Sequence, residues 1–337
     1  MKEIFSDAER ICDRVDLSPL DGKEIIVTGA TGLIGTHLLA SLYVAGISTR
    51  VWAIHRSTPP AHVLEIARQG DFRLVRHNLA SPYGYYTLPL HADVIIHAAG
   101  YASPAKFLAD PVATIQLNTG ATRELLQRLR LDGHFLFLSS AEVYGSWHGP
   151  SPPTESDIGV TVPDCPRAPY IEGKRCGEAI CHTFRAQGLD AKCARTMLAY
   201  GPGTRPHDGR ALNQFIEKAL VQGHISLLDA GLARRTYCYV SDVVEMLWKI
   251  LLYGKEAVYN VGGRSIVSIS DLAHRIAMLT GADVTLGPLV NGIVGAPAQA
   301  CLDLTRIETE FGKTNFVNLE EGLRRTIEWQ RGLYGTG

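Results

Sequence analysis

Ser140, Glu142, Tyr170 and Lys174 are the residues of this chain whose types and spacing could do chemistry. Tyr170 and Lys174 stand four apart, so on a helix they share one face. An ammonium beside a phenol favours the phenolate and lowers its pKa. A tyrosine tuned in that way can move protons near neutral pH. Pro169 suits the first turn of such a helix. Ser140 and Glu142 follow the apolar run His134-Phe-Leu-Phe-Leu138, which reads as a buried strand. Ligands gather at the carboxyl ends of strands in open α/β sheets, and that is where both residues fall.

A second constellation lies upstream. Lys23-Glu-Ile-Ile-Val-Thr-Gly29-Ala-Thr-Gly32-Leu-Ile-Gly35 runs from an apolar strand through a glycine turn into a helix start. The spacing is G-x-x-G-x-x-G, and the strand-turn-helix context makes it a dinucleotide fingerprint. Gly29 permits the sharp turn, Gly32 lets the backbone approach a pyrophosphate, and Gly35 lets the helix pack on the strand. Free N–H groups at the helix start face the phosphates, and Thr31, Leu33 and Ile34 belong to that turn. The next strand, Thr49–Ile54, ends at His55-Arg56-Ser57. An acidic residue there would bond the adenosine 2′-hydroxyl of NAD, whereas a guanidinium suits a 2′-phosphate. NADP(H) is the favoured cofactor on this reading, with NAD(H) as the alternative.

These residues need a scaffold, and the alternation of patterns supplies one. Phe72–His77 reads as a third strand ending at Asn78-Leu79. Asp93–His97 reads as a fourth, ending at the small residues Ala98-Ala99-Gly100, which let a cofactor lie against the strand end. A helical pattern over 111–130 contains Asn118. Strands alternating with helices predict an α/β fold, a Rossmann-type doubly wound parallel sheet covered on both faces. Residues 1–20 read as an extension with a short helix packed on the outside, and 21–195 as the dinucleotide-binding domain. Beyond about 195 the alternation loosens, so 196–337 reads mainly as a smaller C-terminal α/β substrate lobe. Within it, Ser241 or Asp242 is expected to cap a helix through Leu252. The Pro- and Ser-rich stretch 149–154 is expected to pass over the site mouth.

Bulk properties exclude several classes. The 337 residues are 46% hydrophobic and 20% charged, with formal net charge −1. That is a globular mix with no field to attract nucleic acid or a membrane surface. No run reaches the length of a membrane span. Seven scattered cysteines without a C-x-x-C pair fit a reducing cytosol and no metal site, and the start of the chain lacks a signal-peptide core. The expected location is cytoplasmic.

Taken together, the glycine spacing, the strand-end Ser140 and Tyr170-x-x-x-Lys174 resemble the extended short-chain dehydrogenase/reductases, in the nucleotide-sugar epimerase/dehydratase group. Three segments look most like UDP-glucuronate decarboxylases (UDP-xylose synthases): Ala102-Ser103-Pro104 with Asp110-Pro111, Tyr170-Ile-Glu-Gly-Lys174-Arg175, and His207-Asp-Gly-Arg210. The resemblance implies a nucleoside-diphosphate sugar as substrate and a homodimer. It makes Tyr170 the acid/base at sugar C4, with Ser140 on the same oxygen and Lys174 on the nicotinamide ribose. It places Glu142 near C5 or a substrate carboxylate, and Arg235 on the diphosphate. Ser103, Arg210 and Asn213 join the substrate set, and Asn78, Leu79, Ala98, Ala99, Gly100 and Asn118 the cofactor set.

Departures from the pattern shape the choice of reaction. Ala141 cannot protonate a leaving hydroxyl, which argues against 4,6-dehydration. Leu198 replaces an asparagine, Asn78 an aspartate, and His55-Arg56 an acidic residue. The favoured reading is an NADPH-dependent 4-ketoreductase. The alternative is a redox-neutral UDP-glucuronate decarboxylase or 4-epimerase with tightly bound NAD. A catalytically silent sensor or scaffold is a third class, and the intact Ser140, Tyr170 and Lys174 set argues against it.

Overall fold

The computed structural model describes residues 1–81, 85–289 and 299–335. The chain opens with helix α1 (Lys2–Cys12), strand β1 (Glu24–Thr28), α2 (Leu33–Val44), β2 (Arg50–His55), α3 (Ala61–Gln69), β3 (Arg73–Arg76) and β4 (Ala92–His97). Helices α4 (Pro104–Ala109), α5 (Pro111–Asn118) and α6 (Gly120–Leu126) then lead into β5 (Leu129–Ser140). The expected single helix over 111–130 is therefore two helices, and the strand takes over from Leu129. Long α7 (Ala168–Ala186) precedes β6 (Asp190–Thr196).

Among the described residues, seven strands form one parallel sheet in the order β10-β6-β5-β4-β1-β2-β3, where β10 is Val258–Val261. Alternate residues of its central strands sort onto two cores, as the two-residue period of a strand dictates. Ile25, Val27, Val94, Ile96, Leu136 and Leu138 pack with α1, α2 and α9 (Val240–Tyr253). Ile26, Ile95, Phe135 and Phe137 pack with α5, α6 and α7 on the other face. The doubly wound α/β architecture expected from the alternation is thus present.

The remainder of the chain is smaller and mixed. It holds β7 (Leu198–Tyr200), α8 (Ala211–Gln222), β8 (His224–Ser226), β9 (Arg234–Tyr239), β11 (Ser265–Ser268), α10 (Ile269–Thr280), β12 (Asp283–Thr285), β13 (Gln299–Ala300), α11 (Thr305–Phe311) and α12 (Leu319–Tyr334). Strands β11, β9 and β13 form a second sheet, with β7 also paired to β9. What reads in sequence as one strand through Tyr200 is therefore split: β6 stays in the large sheet and β7 leaves it. The large sheet in turn takes β10 from beyond residue 196, with α9 against it.

One local expectation changes. Helix α9 starts at Val240, with Tyr239 as its flanking residue, so Ser241 and Asp242 lie inside its first turn rather than at its cap. Buried Asp242 instead accepts from Lys313 Nζ (2.8 Å) and the Val317 N–H (2.7 Å). The first helix is firmly tied to the rest of the fold. Its fully buried Asp7 accepts from Tyr239 Oη and Arg325 Nη1, each at 2.8 Å, tying α1 to β9 and α12. Among the described residues no helix is long and apolar enough to cross a membrane.

Candidate active site

The first turn of α7 carries Tyr170, and one turn further on comes Lys174, both buried. The Tyr170 ring stacks on Phe107 of α4, with centroids 4.7 Å apart and planes 14° apart. Its phenol lies beside Ser140, the last residue of β5, closely enough for the serine hydroxyl to favour its ionisation. The Ser140 hydroxyl also accepts the Glu142 N–H at 3.2 Å, which fixes the turn leaving the strand. Ser140, Glu142 and Tyr170, from two distant segments, thus meet because α7 packs on the face of the sheet over β5. Behind them, Glu178 of α7 accepts from Ser139 Oγ (2.5 Å) and Arg195 Nη2 (2.8 Å), locking α7 to β5 and β6.

The electrostatics correct one expectation. Burial, then the charge of Glu142, pushes the Tyr170 phenol up to about 12, against smaller opposing effects of Ser140 and Arg167. Lys174 does not pull it down. Its Nζ donates to the Leu138 carbonyl at 2.5 Å and stands 5.9 Å from the Tyr170 ring centroid. Burial also pushes the Lys174 ammonium itself down to about 7, weakening the charge the argument from spacing relied on. Dehydration outweighs the pairwise attraction here.

That burial has a measurable consequence. Folding moves Lys174 from its ordinary 10.5 to about 7. The unfolded chain therefore holds more proton between those values, and stability rises with pH across the window. Below pH 7 both states are protonated and the cost is present in full. Lys174→Met is expected to raise the thermal midpoint of the cofactor-free protein at pH 6 by about 3 °C or more, and by less toward pH 10. Scanning calorimetry over that range checks it, and a gain independent of pH would place the cost elsewhere.

Glu142 is bound through both carboxylate oxygens to Arg167, with Nε to Oε2 at 3.2 Å and a closer Nη2–Oε1 contact. The Arg167 guanidinium lies 5.2 Å from the Phe107 ring centroid. Arg235 on β9 feels the charges of both Arg167 and Glu142, while burial lowers its own pKa. The two guanidiniums close to Tyr170 can orient an anionic substrate group. Arg167 was not singled out in sequence, although it lies three residues before Tyr170.

The glycine turn abuts this cluster through the end of β4. Gly29 has φ +67°, and a Cβ there would sit 2.7 Å from the Ala98 backbone. A Cβ on Gly35 would lie 2.3 Å from the Gly29 carbonyl oxygen. A Cβ on Gly100 would come 3.6 Å from Lys174 Nζ, so Ala98, Ala99 and Gly100 bridge the turn and helix α7. Thr28 Oγ1 and His97 Nδ1 are 2.8 Å apart, and the Ala99 N–H donates to that same hydroxyl. These two residues, read in sequence only as parts of their strands, pin the ends of β1 and β4. His97 is held neutral by full burial, which pushes it down to about 4.

Does this surface fit a dinucleotide? The start of α2 at Leu33 and Ile34 carries N–H groups with no partner inside the helix, beside Thr31 and Gly32. Asn118 is fully buried, with Nδ2 on the Thr114 carbonyl (2.8 Å) and Oδ1 without a partner, and it packs against Gly173 of α7. The close glycine approach, the free helix terminus and the orphaned acceptor fit such a group. His55 is buried, with Nδ1 2.9 Å from the Ser57 carbonyl. The Arg56 guanidinium lies over the Tyr101 ring, 4.7 Å from its centroid. Asn78 is exposed and caps its own turn by accepting the Ala80 N–H, while Leu79 is buried beneath Tyr85.

Not every candidate reaches the cluster with free atoms. Arg210 is bound through two nitrogens by Asp208, at 2.8 and 2.6 Å. Asn213 is buried and accepts from Gln330 of α12 at 3.1 Å, so its side chain is engaged inside the lobe. Ser103 is half-buried and starts α4, one turn from Phe107.

Comparison with known proteins gives consistent matches. The model of the NAD dependent epimerase/dehydratase family matches residues 25–262. UDP-glucuronic acid decarboxylase 1 of Xenopus tropicalis is 30% identical over 317 residues, covering 94% of this chain and 74% of that protein. UDP-glucose 4-epimerase from Thermotoga maritima, solved with UDP-glucose, superposes with a TM-score of 0.81 at 25% identity, covering 92% of this chain and 99% of that one. A dTDP-glucose 4,6-dehydratase from Streptomyces venezuelae with NAD bound gives 0.80 at 25%, covering 93% and 98%. With its sequence matched over most of its length and its Ser140, Tyr170 and Lys174 assembled beside the glycine turn, the chain belongs to the NAD dependent epimerase/dehydratase family and is an enzyme of the extended short-chain dehydrogenase/reductase type.

Proposed function

We propose that this enzyme carries out a redox-neutral conversion of a nucleoside-diphosphate sugar through transient oxidation at C4, with decarboxylation of a UDP-hexuronate as the specific reaction. The observation that carries this is the Glu142–Arg167 pair, with Arg235 near it, set against Tyr170 and Ser140. The net ketoreductase favoured on sequence finds no counterpart among the relatives above, which are a decarboxylase, an epimerase and a dehydratase.

Tyr170 would take the C4 hydroxyl proton once the positive charge of a bound oxidised nicotinamide offsets the burial that raises its phenol in the empty site, with Ser140 holding the same oxygen in line. A bound nicotinamide cofactor would supply the acceptor and donor of the C4 hydride. Lys174 would hold the nicotinamide ribose of a bound cofactor. A ketone at C4 turns a C5 carboxylate into a β-keto acid, and Arg235 and Arg167 orient that anion while carbon dioxide leaves. Breaking the C5–carboxyl bond leaves its electron pair as an enolate across C4 and C5; C5 takes a proton from water, and Tyr170 returns the proton to the C4 oxygen as the C4 ketone is reduced.

The family is NAD dependent. For this chain we take NADP(H) as the preferred form, because His55 and Arg56 occupy the end of β2 where an acid would meet the 2′-hydroxyl. A homodimer through α5 and α7 is part of the same proposal, with Val112 and Ile115 exposed on α5; light scattering of the purified chain tests it.

The deciding assay incubates purified protein with UDP-glucuronate and each cofactor. The expected result is carbon dioxide and a UDP-pentose with no net reduced or oxidised cofactor. Retained carboxylate with inverted C4 would make it an epimerase. Stoichiometric cofactor consumption would restore the ketoreductase and overturn this reading.

A further inference from the structure

We propose that Arg205, not Arg56, is the residue that grips the 2′-phosphate of NADP(H); this rests on the NADP(H) preference inferred above. Arg205 lies on the loop between β7 and α8, far in sequence from any cofactor motif. Its Nε and Nη2 both donate to the Thr31 carbonyl, at 3.3 and 3.1 Å, and its Nη1 donates to Ser57 Oγ at 3.0 Å. The guanidinium therefore bridges the glycine turn and the end of β2. Those two segments flank the adenosine ribose when a dinucleotide occupies a fold of this type.

The charge placed there is uncompensated. Arg205 rests on a carbonyl and a hydroxyl, both neutral, and burial alone accounts for the lowering of its pKa. Among the described residues no carboxylate comes within 4.0 Å of the side-chain nitrogens of Arg56, Arg76 or Arg205. Arg76 adds a third cation, its Nε 3.3 Å from the Arg56 carbonyl. A phosphate dianion is the ligand that a forked, half-buried guanidinium with no acid partner matches best. Ser57 and His55 supply further polar atoms at the same strand end. Arg56 is the weaker candidate, since its guanidinium is committed to the face and hydroxyl of Tyr101.

The loop is braced before any ligand arrives. Thr204 Oγ1 donates to the Gly201 carbonyl at 2.6 Å, Trp329 Nε1 of α12 donates to the Thr204 carbonyl at 3.0 Å, and the His207 N–H donates to Tyr334 Oη at 3.2 Å. Trp329 also stands edge-on to His62 on α3, with centroids 5.1 Å apart. Burial, together with the charge of Arg205 among others, pushes His62 down to about 4, leaving it neutral at physiological pH. Arg205 is thus a fixed charge on a held loop, and preorganisation of this kind reduces the cost of ordering on binding.

Calorimetric titration of the full chain with NADP⁺, NAD⁺, adenosine 2′,5′-bisphosphate and 5′-AMP tests the assignment. The wild type is expected to prefer each 2′-phosphorylated ligand. Arg205→Met should weaken the two 2′-phosphorylated ligands about 30-fold, as loss of a charged hydrogen bond implies, and leave the other two within about threefold. Arg205→Lys should recover part of the loss, and Arg56→Met should change the preference by less than about threefold. Ligand-free melting curves establish that the variants fold. A wild type with no preference for the 2′-phosphate overturns the NADP(H) reading itself. A wild-type preference that survives Arg205→Met overturns only the Arg205 assignment. Equal losses on all four ligands also overturn it, making Arg205 a brace for the glycine turn.

Discussion

Tyr170→Phe is expected to lower turnover by about 10³-fold or more while leaving cofactor affinity within about a factor of two, in line with loss of a positioned acid/base. The phenyl ring keeps its stack on Phe107, so α4 and α7 stay docked and the site keeps its shape. What disappears is the one oxygen that faces Ser140. Ser140 cannot substitute, because an alcohol is far less acidic than a phenol. Fluorescence titration with the cofactor and initial rates on UDP-glucuronate separate the two effects. Unchanged turnover in this variant would remove Tyr170 from the mechanism. A parallel collapse of cofactor binding would make it a structural residue instead.

The second large effect comes from Gly35→Ala. The added methyl would lie 2.3 Å from the Gly29 carbonyl oxygen and 2.8 Å from Ala30 Cα. Both are backbone atoms of the turn, so relief requires α2 to move off β1. Overpacking of this kind costs roughly 1–3 kcal/mol. For a domain of this size a few degrees of thermal midpoint should be lost. The turn that meets the pyrophosphate moves with the helix, so cofactor affinity should fall at least about tenfold. Gly332→Ala on α12 is the control, since nothing lies within 4 Å of its Cβ position and alanine is the better helix former. If Gly35→Ala melts and binds like the wild type, tight packing at this turn is not what the third glycine provides.

The glycine turn and the Tyr170 helix were legible because each is a local pattern. Strand, turn and helix lie within some twenty contiguous residues, and Tyr170 with Lys174 depends only on helical spacing. The pKa logic was not legible. Spacing places an ammonium near a phenol, but only packing reveals that Lys174 turns to the Leu138 carbonyl and that burial dominates both groups. Asp242 shows the same limit in miniature: an Asp at the head of an apolar helix reads as a cap, yet its carboxylate is taken by Lys313, seventy-one residues away. Arg205 carried no signal at all, because its partners Thr31 and Ser57 are brought to it by the tertiary fold. The split between β6 and β7 was invisible for a similar reason, since one apolar stretch serves two sheets.

Product analysis with UDP-glucuronate carrying deuterium at C4 tests the hydride route most directly. If the hydride leaves C4 for the nicotinamide and comes back, the UDP-pentose retains its deuterium and the reaction shows a primary isotope effect under conditions where chemistry limits the rate. Deuterium lost to solvent, or carbon dioxide released with the C4 bond never broken, would contradict the account.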